Sequence, residues 1–234
     1  MDLVLEDCVT DGAKVLYPVI RTDSGVYTTT PSGEVYIPLL EAFTHFNTEL
    51  FDGKLPDCLV TIRAKGRTQG FYHAKRFAAL KSKATADEIA LNPAYFPIRS
   101  LIDTASTLVH EMSHHWQEHF GTPPRSGYHN KEWAARMRSI GLMPSDTEAP
   151  GGKETGDSVS HYILEDGLFA RSYTRLEATG WQIGWGDASA KKPRATRVKF
   201  ICPGGCLNIP APRSVEGILG CFRCNRPLII QELS

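Results

Sequence analysis

The sequence predicts an α+β fold that ends in a small cysteine-paired module. Three observations lead there. Segments near residues 38–50 and 103–120 carry apolar residues at helical spacing, and they stand among short apolar runs cut by Asp-Gly, Ser-Gly and Thr-Gly pairs. Hydrophobic residues make up 41% of the 234, enough to bury a core. Four of the six cysteines fall in two close pairs toward the C-terminal end.

Taken in order, residues 1–30 are short apolar pieces broken by turn signals and predict a few strands. From about Pro38 to Leu50, the spacing of Leu39, Leu40, Ala42, Phe43, Phe46 and Leu50 predicts a helix, ended by Asp52-Gly53. Leu59 to Ile62 reads as a strand. Between Cys58 and Ala86 stand seven basic residues (Arg63, Lys65, Arg67, Lys75, Arg76, Lys81, Lys83) and no acidic one. Glu88 to Asn92 reads as a strand that Pro93 stops. Asp103 is placed to cap a helix running to Phe120, with Gly121 closing it and Leu108, Met112, Trp116 and Phe120 as its apolar stripe. A further helix is expected from Lys131 to Ile140, with Trp133, Met137 and Ile140 inward. Pro144 to Ser158 reads as a loop or linker, and His161 to Trp185 as extra short strands. The organisation expected is an N-terminal extension (1–37), a core (38–143), an insertion or linker (144–190), and a basic segment with the cysteine module (191–234).

Net charge is zero but unevenly spread. Residues 188–234 hold eight Lys/Arg against two Asp/Glu, and the remainder eighteen against twenty-four. A basic tail on an acidic body points to an anionic partner. No window reaches eighteen apolar residues, so no membrane span is expected. The N-terminus lacks a basic flank and an apolar run, so no secretory leader is expected either. A cytoplasmic location follows as an expectation, with thiols or metal ligands rather than disulfides.

His110-Glu111-Met112-Ser113-His114 is the most informative segment. Two histidines four apart stack on one helical face and can grip one ion, and Glu111 between them is placed to accept a proton from water. Leu108 lies two residues before His110, about 200° around the helix, so the histidine pair faces away from the core stripe. A catalytic zinc takes three protein ligands and keeps one position open. His115 and His119 sit about 140° and 180° around from His110, which makes them surface or partner-bonding histidines. Glu118 is a turn too far along, and Glu132 points elsewhere. His129, after a Gly/Pro-rich loop and before the next helix, is the best third ligand.

Cys202, Cys206, Cys221 and Cys224 form two knuckles separated by fourteen residues, the pattern of a structural zinc site. Lys191, Lys192, Arg194, Arg197 and Lys199 lead into this module, and Arg213, Arg223 and Arg226 lie within it. Clustered cations favour phosphate, and Phe200 and Phe222 are candidates to stack on unpaired bases.

The helix with HEMSH, the loop, and then His129-Asn-Lys-Glu-Trp followed by Ile140-Gly141-Leu142 resembles the SprT-like family, relatives of the Spartan DNA–protein crosslink proteases. Phe46-Asn47 through Phe51-Asp-Gly-Lys-Leu-Pro56, Ile89-Ala-Leu-Asn-Pro93 and the cysteine module fit the same pattern. The likeness covers about 38–143 and 198–230, while 1–30 and 145–195 look like additions. Asn130 stands where the family usually has glycine. The resemblance implies a zincin-like metallopeptidase with one catalytic and one structural Zn2+, and Glu111 as the base. It further implies a protein substrate held in extended form by the strand near Ala90 to Asn92, and a DNA partner, single-stranded or damaged, which would allow a nucleoid association. Tyr128 is a candidate oxyanion stabiliser. Two other functions stay open: a regulatory protease recruited to a protein through its ribbon, and a non-catalytic nucleic-acid-binding protein.

Overall fold

The computed structural model describes residues 2–10, 13–21, 30–64, 66–190, 198–212 and 215–230, with backbone alone for 2–10, 13–21 and 198. Two compact units result, residues 1–190 and 191–234. β1 (Asp2–Thr10) and β2 (Ala13–Arg21) pair antiparallel, with Val4 opposite Val19.

Helix α1 spans Pro31–Phe51 and so starts seven residues before the expected position. Thr30 caps it, its hydroxyl accepting the Gly33 N–H, and Pro31 opens the first turn where a missing N–H is harmless. Pro38 therefore lies inside the helix, and the Trp181 indole N–H donates to its carbonyl at 2.8 Å. Asp52, left-handed at φ 56°, closes the helix as expected. Leu39, Phe43, Phe46 and Leu50 face the core.

β3 (Leu59–Ile62), β4 (Gly70–Ala78) and β5 (Thr85–Leu91) form a mixed sheet in the order β3-β5-β4. β3 runs parallel to β5, with Val60 opposite Ile89, and β4 antiparallel to it, with a bulge between His73 and Phe77. β4 lies in the basic stretch, where frequent Lys and Arg mask the strand pattern.

Helix α2 spans Leu101–Phe120. Its cap is Ser100 rather than Asp103: the Ser100 hydroxyl accepts the Asp103 N–H at 3.2 Å and donates to the Asp103 carboxylate at 2.5 Å. Asp103 instead places its charge in the first turn, where the helix dipole favours it. Leu108 and Met112 are buried as expected, Trp116 is half-buried, but Phe120 is 51% exposed because the helix overruns the core by a turn. α3 (Lys131–Ser139) buries Trp133 and Met137. Asn130 caps it by accepting the Trp133 N–H at 3.0 Å, so the asparagine that replaces the family's glycine has a structural use.

β6 (Leu142–Ser145) and β7 (Ser160–Ile163) pair antiparallel. The strands expected throughout His161 to Trp185 are thus confined to β7, and α4 (Leu168–Ala178) follows as a helix. Phe169, Ser172, Tyr173 and Leu176 fall on one helical face there, and Phe169 stacks on Phe46 at 5.5 Å.

The second unit holds β8 (Val198–Ile201), β9 (Asn208–Ala211) and β12 (Ile229–Ile230) in one antiparallel sheet, with β10 (Gly220–Cys221) and β11 (Arg226–Pro227) as a small hairpin. Its buried core is Phe200, Cys202, Cys221 and Leu228. Phe200 is fully buried and so is not the base-stacking residue expected, whereas Phe222 stands entirely exposed. Among the described residues no helix is long and apolar enough to cross a membrane.

Candidate metal centre

α2, the loop before α3 and β7 converge on a cleft of about 1000 Å³. His110 and His114 reach into it from successive turns of α2, and His129 joins them from the loop. One ring nitrogen from each of the three lies within 4.8 Å of the others. Trp133 supplies an apolar floor, its ring centroid 4.3–5.2 Å from all three imidazoles.

The hydrogen bonds indicate which nitrogen is spare on His129 and on His110. His129 Nδ1–H donates to the Gly156 carbonyl at 3.2 Å, and the His129 and Gly156 backbones exchange two further bonds at 2.8 and 3.0 Å. His129 Nε2 is therefore a free lone pair. For His110 the chain of partners is longer. The Ser106 hydroxyl donates to the Asp103 carbonyl at 2.9 Å, so its oxygen accepts His161 Nε2–H at 2.9 Å. His161 Nδ1 then accepts His110 Nδ1–H at 3.2 Å. His110 Nε2 is left as a lone pair, 3.2 Å from His129 Nε2.

Two lone pairs facing each other at that distance repel unless a cation lies between them. Two nitrogens on a tetrahedral zinc at about 2.0–2.1 Å are separated by about 3.3 Å. The donor set thus fits zinc in chemistry and in spacing. Burial, then the neighbouring histidines, pushes the pKa of His110 well below the ordinary value, and burial, then His129, lowers that of His114 to about 3. The rings are held neutral, the state a metal ligand requires.

Glu111 is buried beside them. Burial raises its carboxyl to about 8, opposed by the Tyr72 backbone N–H. β4 approaches it closely because residue 70 is glycine: a Cβ there would meet Thr107 Cγ2 at 3.0 Å, the Ala90 carbonyl at 3.2 Å and Glu111 Cγ at 3.2 Å.

The strand near Ala90 to Asn92 is not an edge. β5 pairs with β3 on one side and β4 on the other, and the Asn92 N–H is taken by the Gln69 carbonyl. The sheet edge that borders the cleft is β4, through residues 70–74. Tyr128 stands on the cleft wall under the Arg125 guanidinium, 5.1 Å from its ring centroid. His115 and His119 both bond Asp87 on β5 and take no part in the triad, as their angles required.

His161 escaped the sequence reading. It lies fifty-one residues from its partner, in a segment read only as strand, and no spacing rule marks a histidine that acts through another ring.

In the second unit the four sulfurs of Cys202, Cys206, Cys221 and Cys224 lie within 4.8 Å of one another. Cys202 and Cys224 Sγ are 3.1 Å apart, too far for a disulfide at about 2.05 Å. The Gly204 N–H donates to Cys202 Sγ at 3.3 Å, so the backbone of the first knuckle folds over the sulfurs. This is a closed four-thiol cluster consistent with a zinc ribbon. Lys199 and Arg223 are exposed on this unit. Lys191, Lys192, Arg194, Arg197 and Arg213, expected to contact nucleic acid, lie outside the described residues, and Cys8 lies on β1, described in backbone alone. Cys58 is half-buried, and burial, then Asp87, pushes its thiol up to about 12, so it is an inert thiol.

Comparison with known proteins agrees with this geometry. Residues 39–152 match the SprT-like family, nine residues further than the segment the motifs covered. A 59-residue stretch, 25% of this chain, is 42% identical to the uncharacterized protein in mucB 3'region of Salmonella typhimurium and covers 80% of that protein. No solved structure matches. With a three-histidine cluster and a buried glutamate on the matched segment, the chain belongs to the SprT-like family.

Proposed function

We propose that this chain is a zinc-dependent endopeptidase that cuts proteins bound or crosslinked to DNA. The observation that carries the peptidase reading is a buried carboxyl group, Glu111, set against three neutral imidazoles in an open cleft. A zinc ion held by His110, His114 and His129 would supply Lewis acidity toward a peptide carbonyl and water. The chain's own residues do the rest. Glu111 takes the proton from water and passes it to the leaving amine. The open edge of β4 offers backbone N–H and C=O groups to an extended substrate. To Tyr128, which lines the cleft, we assign donation to a developing oxyanion.

Support for a DNA role comes from the second unit. Its segment is rich in Lys and Arg, and Phe222, Arg223 and Arg226 are exposed together. The zinc-loaded chain is tested on a DNA-binding protein with and without single-stranded DNA, beside Glu111→Gln. Cleavage that requires both DNA and Glu111 is expected. Glu111-dependent cleavage indifferent to DNA transfers the reading to a regulatory protease. No cleavage in any condition, with zinc bound, removes the peptidase reading.

A further inference from the structure

α2 carries a second cluster about 140° around the helix from the triad. Asp87 on β5, His115 and His119 bring one carboxylate oxygen and two ring nitrogens within 4.8 Å of one another. Asp87 Oδ2 lies 3.0 Å from His115 Nδ1 and 2.8 Å from His119 Nε2. The Tyr72 hydroxyl donates to the same oxygen at 2.6 Å. The Lys75 N–H, turned inward at the β4 bulge where φ is 50°, donates to Oδ1 at 2.7 Å.

His115 is fully buried, and both of its nitrogens face oxygens that only accept. Nε2 lies 2.9 Å from the Pro56 carbonyl, and Nδ1 faces the ionised Asp87 carboxylate. A neutral imidazole has one N–H to give. Whichever nitrogen carries that proton, the lone pair on the other faces an oxygen in a buried site: the Pro56 carbonyl if the proton is on Nδ1, the Asp87 carboxylate if it is on Nε2, and either arrangement costs free energy. A cation on Nδ1 relieves the conflict and uses the two other atoms that converge there. His119 sits one turn along on the same face, and its side chain is 34% exposed, which leaves a coordination position open toward solvent.

We infer that Asp87, His115 and His119 form a second cation site on this unit, of the zinc class, with the Tyr72 hydroxyl and Lys75 N–H orienting the Asp87 carboxylate. Two imidazoles and one carboxylate suit zinc and its borderline neighbours rather than calcium or magnesium. The two hydrogen bonds to Asp87 are the outer contacts such a ligand needs. An ion there joins β5 to α2 from the side away from the cleft. Tyr72 also reaches Glu111 through its backbone N–H, so one residue touches both sites.

The test counts metal on the full chain. Wild type, His119→Ala, Asp87→Asn and His114→Ala are equilibrated with buffered zinc at micromolar free concentration, and bound zinc is measured by mass spectrometry. Wild type is expected to hold three ions: the triad, the ribbon and this site. His119→Ala and Asp87→Asn each lose one, as does His114→Ala from its own site. Far-UV circular dichroism identifies any variant that has misfolded, and the two independent variants keep the comparison decisive. Equal zinc in wild type, His119→Ala and Asp87→Asn overturns the assignment and leaves His115 as an imidazolium paired with Asp87.

Discussion

A neutral imidazole ligates a metal only through the nitrogen that lacks the proton, and His161 decides which nitrogen that is on His110. The relay from His110 through His161 and Ser106 to the Asp103 carbonyl holds the His110 ring in one tautomer. Outer partners of metal-bound histidines are worth about 10–100-fold in affinity. His161→Ala is therefore expected to weaken zinc binding at the triad about 10–100-fold, read by competition with a chromophoric chelator; an unchanged affinity refutes the relay. The same burial makes the site acid-sensitive. Burial, then His129, lowers His114 to about 3, and burial, then Arg99, lowers His161 to about 4, both from 6.5. Between those values and 6.5 these two histidines bind more protons in the unfolded chain than in the folded one, so their contribution to stability is complete above about pH 6.5 and declines as pH falls. The urea midpoint of the metal-free protein should drop between about pH 7 and about pH 5, and a flat midpoint contradicts neutral burial. His110, Glu111, His114 and His129 were legible because helical spacing and a loop length encode their convergence. His161 was not, because its partner is brought to it by the pairing of β6 with β7.

Arg136 links three helices. Its guanidinium on α3 donates to the Leu50 carbonyl at the end of α1 at 2.6 Å, and it lies over the rings of Phe51 at 4.7 Å and Trp116 of α2 at 5.1 Å. A charged hydrogen bond contributes about 1.5–3 kcal/mol and each such stacking contact about 0.5–2 kcal/mol. Arg136→Ala is expected to cost about 2–4 kcal/mol in denaturant unfolding, with Arg136→Lys recovering only part, since lysine lacks the planar fork. A loss under about 0.5 kcal/mol, the size of an ordinary surface change, removes the linking role. The helices α2 and α3 were legible from their apolar stripes. Pro38 misplaced the start of α1, because a proline reads as a boundary until Thr30 and Pro31 are seen to form the true cap. α4 was read as strand because Asp-Gly and Thr-Gly pairs bracket it, and only Phe169, Ser172, Tyr173 and Leu176 taken together show the 3.6-residue period.

The two units depend on metal in opposite ways. The first buries Leu39, Phe46, Leu108, Met112 and Trp133 in a continuous apolar core. In the second, the buried residues are Phe200, Leu228 and two of the cysteines themselves. Fewer than about forty residues seldom bury enough surface to fold unaided, so the free energy of metal binding is what holds such a module together. The paired cysteines made this legible at sequence level, since four thiols in two knuckles have little other use in a short segment. Chelation should therefore split the molecule. With a strong chelator, backbone amides of residues 198–230 are expected to lose protection in hydrogen exchange, while those of α1, α2 and α3 stay protected. The far-UV helical signal should barely change, because every helix among the described residues longer than a single turn belongs to the first unit. Peptidase activity should disappear in the same titration, and zinc should restore both. If residues 198–230 keep their protection without metal, the ribbon folds on its apolar residues alone. If instead α1 and α2 lose protection with it, the first unit also draws its stability from bound ions.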